Sequence, residues 1–408
     1  MRPPSEMGAV AFLFNRRHLN QDHLRCSPFV RLFPMRKSFA LTCWLLLSIG
    51  SFSWAYGPEG HKIIGGIADQ RLANTPTGAR VSQLLDGYTL EEVSIIADTI
   101  KQWDKPGIED PKVQKYFSSH PKIAEQLRAF WKANPATEDE HSAMPSHHWF
   151  HYTDVPLAGR ETYGDGKIGR SQWDIVQMMR YCIEVLEGKI PATNERKITR
   201  PIAVILLSHF VGDIHQPLHV GAEYFDDKGN PANPDRVDGA LPDGGGNSLR
   251  IRLAGGPVRK HEPTLHGFWD TECVLANLPV FPEEMPKEQR QAEMDAAETA
   301  LINRLAKTEP KDWSSKAPVE KLPEVWADEI LPLAREAHRR LHYEKVRPKL
   351  EHGRMVAEGE IVEKEGENSI PYSQWAASTV LVEMHKAGWR LADLLTRTLQ
   401  PNESKAKP

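Results

Sequence analysis

The chain of 408 residues has few of the features that define membrane proteins, disulfide scaffolds or general DNA-binding proteins. Beyond its N-terminal segment, no stretch is continuously apolar over the roughly 18 residues that a membrane-spanning helix needs. It contains only four cysteines, and its formal net charge is −4. An acidic balance disfavours broad electrostatic binding to duplex phosphates. We find no internal repeat and no strand-rich alternation, which disfavours repeat and mainly β folds.

The N-terminal region contains a secretory-signal pattern that starts at Met35. Two basic residues follow, then the apolar stretch 39–49, and small residues around Ala55 suit a signal peptidase. The apolar stretch is too short for a membrane anchor. We therefore expect a signal peptide over 35–55, cleavage after Ala55, and a secreted or periplasmic protein without stable membrane association. Residues 1–34 lack this pattern and are expected to be a start-site artefact or a disordered extension.

Residues 56–400 have the composition of an exported globular enzyme. Residues 1–55 hold seven Lys/Arg and two Asp/Glu of the chain's 51 and 55, so the remainder has a net charge near −9. Its length is enough for a large core. Cys182 and Cys273 remain, and an oxidising compartment permits a disulfide between them, although two free buried thiols fit the sequence equally well. Residues 401–408 are expected to be a disordered tail.

Helical periodicity dominates residues 56–400 and predicts an all-α, single-domain protein. Two segments are predicted as loops: 221–248, rich in Gly, Asp, Pro and Asn and expected to cover a site, and 353–369, acidic and solvated. The predicted helices are 61–72, 75–85, one that starts near Leu90 and carries Asp98, an inserted helical segment within 111–135, 171–187, 199–214, and about 284–306, 319–346 and 371–398.

The most informative segment is 209–219, which packs three histidines and a carboxylate into eleven residues. His209 and Asp213 are four apart on a predicted helix, so they share one face. Pro217 is expected to end the helix and let His219 turn toward a neighbouring point. Neutral imidazole and carboxylate are the donors of zinc sites, so this segment predicts metal binding.

The four-residue His–Asp spacing recurs at His266 and Asp270, and two such pairs indicate a multinuclear metal centre. His338 and His342 have the same spacing, but the charged side chains around them predict a solvated helix face without a catalytic metal. Six further histidines, of which His215 lies at a variable position inside the 209–219 motif, are expected to be structural or solvated: His120, His141, His147, His148, His215 and His261.

In their order along the chain, these motifs resemble the zinc-dependent, single-strand-specific nuclease family of fungi, plants and bacteria, which shares its fold with bacterial zinc phospholipase C. The resemblance covers nearly all of the chain from Tyr56. The matching elements are an aromatic residue followed five positions later by His (Tyr56 and His61), a Ser…Ala-Asp segment (93–98), His-Tyr-x-Asp-x-Pro (151–156), His-Phe-x-Gly-Asp-x-x-Gln-Pro-Leu-His (209–219) and Leu-His-x-x-Trp-Asp (265–270).

The resemblance implies three zinc ions in the cleft of a helical phospholipase C/nuclease-type fold. A free α-amine titrates near pH 8, so a metal can hold the amine of a mature Tyr56 terminus deprotonated. The implied ligands are Asp98, His151, His209 and Asp213 for one ion; Asp213 as a bridge, His61, and the amine and carbonyl oxygen of Tyr56 for the second; and His219, His266 and Asp270 for the third.

The resemblance also implies roles in catalysis and in substrate binding. The closely spaced zinc ions would share a hydroxide nucleophile, which makes Asp98 and Asp213 catalytic as well as ligating. Lys101, where the family more often carries Arg, would contact phosphate as a point charge. Tyr152 and Asp154 match the family's nucleobase pocket, and Asn247 follows a Gly-rich loop that matches the far wall of that pocket.

The predicted function is an endonuclease that acts on single-stranded RNA and DNA, leaves 5′-phosphates, and accepts 3′-nucleotides as further substrates. One alternative is a zinc phospholipase C-like phosphodiesterase; Asp270 disfavours it, because the phospholipases tend to carry Glu there. A zinc-bound but catalytically idle binding protein is the other alternative, which the complete ligand set disfavours. Two departures from the family pattern are Tyr56 in place of Trp and a longer segment between Asp98 and His151.

Overall fold

Helices make up most of the structure and enclose a core to which nearly all of them contribute. The structure, a computed structural model, describes residues 56–104, 119–137, 143–253, 261–282, 284–351, 353–364 and 369–399. All of these residues belong to one compact unit of the chain, residues 51–408. The predicted N-terminal extension, signal peptide and C-terminal tail lie outside the described residues.

Twelve α-helices occur in the described part of the chain, and short 3₁₀ helices connect several of them. In chain order they are α1 (Gly57–Leu72), α2 (Pro76–Leu84), α3 (Leu90–Val93), α4 (Ile96–Thr99), α5 (Pro121–Ala133), α6 (Ile175–Leu186), α7 (Arg200–Asp213), α8 (Leu265–Gly267), α9 (Cys273–Leu275), α10 (Lys287–Lys307), α11 (Leu322–Arg339) and α12 (Tyr372–Leu399).

The central helix is α7. The side chain of Thr199 caps its N-terminus by accepting a hydrogen bond from the Ile202 amide, and a proline lies in the first turn, where the missing N–H has no helical partner to lose. All residues from Ile202 to Asp213 are buried, as expected for a helix that is apolar all round. It packs against α1, α6 and α12, so its C-terminal turn, which carries His209 and Asp213, lies inside the protein.

Three small sheets show that the fold is mainly helical rather than all-α. β1 (Val155–Pro156) pairs in parallel with β2 (Gly221–Ala222), and β3 (Tyr224–Phe225) pairs antiparallel with β4 (Leu241–Pro242). The largest sheet has the order β5-β7-β6: β5 (Leu249–Arg252), β6 (Leu341–Glu351) and β7 (Arg354–Glu363). Most of 221–248 remains irregular, in agreement with the predicted loop.

The β6–β7 hairpin contradicts two of the sequence predictions. The predicted helix 319–346 ends at Arg339, and the predicted solvated loop 353–369 contains β7. β7 is the middle strand of its sheet, because it pairs with β6 on one side and with β5 on the other. Its acidic side chains face basic side chains on β6, which favours strand pairing and which the composition of 353–369 alone does not reveal.

Several smaller expectations are also settled by the structure. The predicted helix from Leu90 to Asp98 is divided between α3 and α4, and the only described helix of the inserted segment is α5. Cys182 and Cys273 are free and buried. The expectation of a solvated His338 is wrong: it is 2% exposed and lies between Asp243 and Tyr343.

None of the described helices has the length and apolar character needed to cross a membrane.

Candidate metal centre

Six structural segments bring the side chains of the predicted metal ligands together in the interior. All of these residues are at most 4% exposed. They are supplied by α1 (His61), α4 (Asp98), the 3₁₀ helix His147–His151 (His151), α7 (His209 and Asp213), the 3₁₀ helix Pro217–His219 (His219), and the segment from α8 into the following π-helical turn (His266 and Asp270).

Asp213 lies between two sets of imidazoles. Its Oδ1 is 3.2 Å from His61 Nε2, whereas its Oδ2 is 3.0 Å from His151 Nδ1 and 3.2 Å from His209 Nε2. One carboxylate therefore presents one oxygen to each of two neighbouring positions. This is the arrangement that a carboxylate bridging two metal ions requires.

Asp98 completes the first group of donors. Its Oδ1 is 3.7 Å from both His151 Nδ1 and His209 Nε2. Donors around a tetrahedral zinc ion with bonds of about 2.0–2.1 Å are about 3.3 Å apart, so these separations are close to a zinc coordination shell. Lys101 Nζ lies 2.7 Å from the same Asp98 oxygen, which puts a cation beside this group.

A second region of the centre gathers His219, His266 and Asp270, whose ligand atoms all lie within 4.8 Å of one another. His266 Nε2 is 3.2 Å from Asp270 Oδ2. The other Asp270 oxygen, Oδ1, accepts hydrogen bonds from the Tyr56 backbone nitrogen (3.2 Å) and from Gln216 Nε2 (2.7 Å). The Tyr56 nitrogen was expected from the sequence beside His61 and Asp213; in the structure it contacts Asp270, a member of this group.

Backbone carbonyls fix the orientation of three imidazoles. In each, Nδ1–H donates to a carbonyl at 2.7 Å, which leaves Nε2 directed into the centre with its lone pair available for a metal. The pairs are His209 with Ser94, His219 with His151, and His266 with Gly245. These carbonyl partners could not be identified from the sequence.

Electrostatics give His61, His219 and Asp213 the protonation states that bind metal. Burial lowers the pKa of His61, and it lowers the pKa of His219 to about 3, so both imidazoles are neutral at neutral pH. Burial by itself would raise the pKa of Asp213, but the surrounding histidines outweigh this effect and hold it well below its usual range. The carboxylate is therefore ionised.

The donors also leave hydrogen-bonding capacity that a metal ion would satisfy. Both His61 nitrogens, Asp213 Oδ1 and His219 Nε2 are buried and have no hydrogen bond of normal geometry within the described residues. Such groups are costly to bury unless something pairs with them. Nitrogen and carboxylate oxygen donors at these distances suit zinc, so the residues present fit the metal that the resemblance implies.

Two glycines, which the sequence reading did not treat as functional, keep the donors in place. A Cβ at Gly212 would lie 2.7 Å from His61 Nδ1, so only glycine lets α7 approach α1 this closely. Gly245 has φ +59° and a Cβ there would lie 2.4 Å from the Leu218 carbonyl oxygen. The run of three glycines at 244–246 was the sequence feature that could have indicated the role of Gly245.

The predicted substrate residues lie beside the centre. Tyr152 follows His151 directly and is half-buried, and its ring centroid is 6.3 Å from that of Trp149. Asp154 is 5% exposed. Asn247 is exposed, and its side chain donates to the Gly244 carbonyl at 3.0 Å. It lies two residues after Gly245, whose carbonyl orients His266.

The turn of the β6–β7 hairpin connects these two sides, which the sequence did not predict. Glu351 accepts a hydrogen bond from Ser248 Oγ at 3.1 Å, next to Asn247. Arg354, the cross-strand neighbour of Glu351, lies 5.1 Å over the ring of Trp149.

His215 is not among the donors of the metal centre. Its Nδ1 is hydrogen-bonded to the Val211 carbonyl and its Nε2 faces Arg390, as expected for a structural histidine.

Comparison with known proteins agrees with the geometry. The model of the family described as S1/P1 Nuclease matches residues 56–400. Endonuclease 2 of Arabidopsis thaliana is 24% identical over 72% of this chain and 80% of its own length. Endonuclease 1 from the same plant is 30% identical over 35% of this chain, and this chain spans 38% of its length. Because the family match extends over most of the chain and includes every donor described above, the protein belongs to the S1/P1 nuclease family.

Proposed function

We propose that the protein is a zinc-dependent endonuclease that cleaves phosphodiester bonds of single-stranded RNA and DNA and leaves 5′-phosphates. The observation that carries this proposal is the convergence of three buried His/Asp donor groups, at zinc-like separations, in a member of this nuclease family. We further propose that the groups hold three zinc ions, with the ligand sets that the resemblance implies.

Bound zinc would supply the positive charge that stabilises the phosphate and a hydroxide of lowered pKa as nucleophile. The chain's own residues bury the donor groups and hold them in place. Asp98 and Asp213 are catalytic in this proposal because they would hold the ions that supply this hydroxide. Lys101, 2.7 Å from Asp98, places a side-chain cation at the same point, where it would contact a phosphate oxygen.

Tyr152, Asp154 and Asn247 are proposed to bind a nucleobase. An aromatic ring stacks on any base, and a carboxylate and an amide can pair with a base edge. A base in a duplex offers neither its face nor its pairing edge, so this arrangement selects single strands. A nucleoside 3′-phosphate carries the same base and phosphate, and we propose it as a second substrate class.

The Tyr56 main-chain nitrogen becomes an amine ligand only if the chain is cleaved after Ala55. We therefore propose that the active form is the processed protein in the periplasm or outside the cell. This proposal has its own test: N-terminal sequencing of the natural protein should begin at Tyr56. A natural terminus upstream of Met35 would overturn it.

The function is tested with protein that starts at Tyr56 and is loaded with zinc. We expect acid-soluble products from single-stranded RNA and DNA, 5′-phosphate ends, much slower cleavage of duplex DNA, and loss of activity on chelation. His342→Ala, an exposed histidine outside the centre, serves as a control that retains activity. Turnover of phosphatidylcholine without any cleavage of nucleic acid would replace the proposal with the phospholipase alternative.

A further inference from the structure

A fourth group of metal-type donors lies outside the three groups described above. It consists of Asp104, His147 and His148, whose ligand atoms all lie within 4.8 Å of one another. Asp104 is the last residue of the 3₁₀ helix Ile100–Asp104, and the two histidines open the 3₁₀ helix His147–His151. From the sequence, both histidines were expected to be structural or solvated.

The two imidazoles approach the same carboxylate oxygen. His147 Nε2 is 3.3 Å and His148 Nε2 is 2.6 Å from Asp104 Oδ2. The other oxygen, Oδ1, accepts a hydrogen bond from Trp131 Nε1 at 2.7 Å, which holds the carboxylate so that Oδ2 faces the histidines. The His147–Asp104 separation equals the donor spacing of about 3.3 Å around tetrahedral zinc, and the His148 ring needs only to move outward slightly.

His147 provides a second, independent observation. It is 1% exposed, and neither of its ring nitrogens has a hydrogen bond of normal geometry within the described residues. Its ring packs instead against His148 and Phe130, with centroids 4.7 Å and 6.0 Å away. A buried imidazole whose nitrogens lack well-formed hydrogen bonds is destabilising unless one of them binds something.

We propose that Asp104, His147 and His148 bind a fourth zinc ion, with solvent completing its coordination. Two nitrogen donors and one carboxylate oxygen are a common zinc set, and three protein ligands leave one position for water. Unlike the three central groups, this one contains none of the residues assigned to the nuclease centre. The proposal does not depend on the nuclease activity of the protein.

The position of the ion gives it a structural role. Each of the two 3₁₀ helices that it joins is connected directly to a ligand of the nuclease centre: Asp98 lies just before Ile100–Asp104, and His151 ends the other helix. An ion between Asp104 and His147 therefore fixes the two segments relative to each other. It acts as a positioning site for Asp98 and His151 and does not contact the substrate.

The direct test is X-ray diffraction on both sides of the zinc absorption edge, with crystals of wild-type protein soaked in zinc. We expect an anomalous peak about 2.0–2.2 Å from Asp104 Oδ2, His147 Nε2 and His148 Nε2. A structure with the central zinc sites filled and no peak at this position would overturn the proposal. The wild-type crystal decides the question even if a variant fails to fold.

Metal content provides the second test. Asp104→Asn and His147→Ala should each contain about one zinc ion fewer per chain than the wild type, measured by elemental analysis after dialysis. His120→Ala is the matched control, because His120 faces a single carboxylate, Asp86, at 3.6 Å and should keep the wild-type content. Equal zinc content in all four proteins would contradict the proposal, whereas zinc-replete protein without nuclease activity would contradict only the proposed function.

Discussion

The metal centre and the β6–β7 hairpin differ in the burial and the pairing of their charged side chains. In the centre, Asp98, Asp213 and Asp270 are buried beside histidines, and Lys101 is in ion-pair contact with Asp98. In the hairpin, charged side chains are largely exposed and are paired across the strands, for example Lys345 with Glu360 at 2.9 Å and Lys349 with Glu358 at 2.7 Å.

The difference shows where charge affects this protein most. An exposed ion pair contributes roughly 0–1 kcal/mol, because water already solvates both partners. Buried carboxylates and imidazoles lose that solvation, and the proposed metal ions would compensate for the loss. Disturbing the centre should therefore change both activity and stability, whereas disturbing the hairpin pairs should change little.

Removing the metal should have the largest effect. Treatment with a strong chelator is expected to abolish nuclease activity and to lower the melting temperature. Ions that bind only the folded chain stabilise it, and their removal leaves buried donors of His61, Asp213 and His219 unsatisfied. Calorimetry and an activity assay on the same sample measure this. Full recovery after zinc addition is the control. An unchanged melting temperature in zinc-free protein would show that the buried centre affects stability no more than the exposed hairpin does.

The next largest effect is expected for His209→Ala. Its Nε2 lies 3.2 Å from Asp213 Oδ2 and its Nδ1 is fixed by the Ser94 carbonyl, so the substitution removes a ligand and leaves two carboxylates less compensated. Loss of a partner that only orients a ligand reduces activity about 10–100-fold, and loss of the ligand itself should exceed that. Activity near that of the His342→Ala control would show that His209 does not bind the catalytic metal.

Gly245→Ala should reduce activity without removing any donor. The added Cβ would meet the Leu218 carbonyl and displace the Gly245 carbonyl that orients His266. We expect a loss of about 10–100-fold in activity or zinc affinity. Gly239→Ala is the matched control, since Gly239 also has a positive φ (+76°) but no atom within 4 Å of the added Cβ. Similar activity losses in both variants would point to backbone strain alone.

Tyr152→Ala tests the substrate side of the centre and should have a moderate effect. Stacking of one base on an aromatic ring contributes about 1–3 kcal/mol, which corresponds to roughly 5–150-fold in affinity. The loss should appear mainly in KM for single-stranded substrates, while zinc content stays at the wild-type value. Tyr152→Phe should retain the affinity, and an unchanged KM in Tyr152→Ala would exclude stacking at this ring.

The smallest effect is expected for Lys349→Gln in the hairpin. Lys349 is 40% exposed, so loss of its pair with Glu358 should change the free energy of unfolding by less than about 0.5 kcal/mol. Denaturant unfolding measures this, with a double-mutant cycle through Glu358→Gln to isolate the pair. A coupling energy of 2 kcal/mol or more (about that of a buried pair) would remove the contrast between hairpin and centre.

Much of the centre could be predicted because its strongest signals are local. The positions of His209 and Asp213 on one face of α7 follow from helix periodicity, and the helix was found one residue from each predicted end. The spacing of His266 and Asp270 gave the second pair in the same way. The convergence of all nine predicted ligands, however, was implied by resemblance and not by periodicity.

Other features depended on residues far apart in the chain. Acidic β7 was predicted as a solvated loop because its partners, basic β6 and the distant β5, do not appear in its own composition. His338 was predicted as solvated although the fold buries it against Asp243, 95 positions away. His147 has no local signal at all, since its carboxylate partner is Asp104.

The sequence by itself determined which side chains can bind metal and which helix faces carry them, because helical spacing within a few residues sets both. The tertiary structure alone decided which carbonyls orient the imidazoles, that β5 pairs with the distant β7, and that Asp104 meets His147 and His148. Those contacts join segments separated by tens of residues, and their free energy comes from burial and pairing that exist only once the chain has folded.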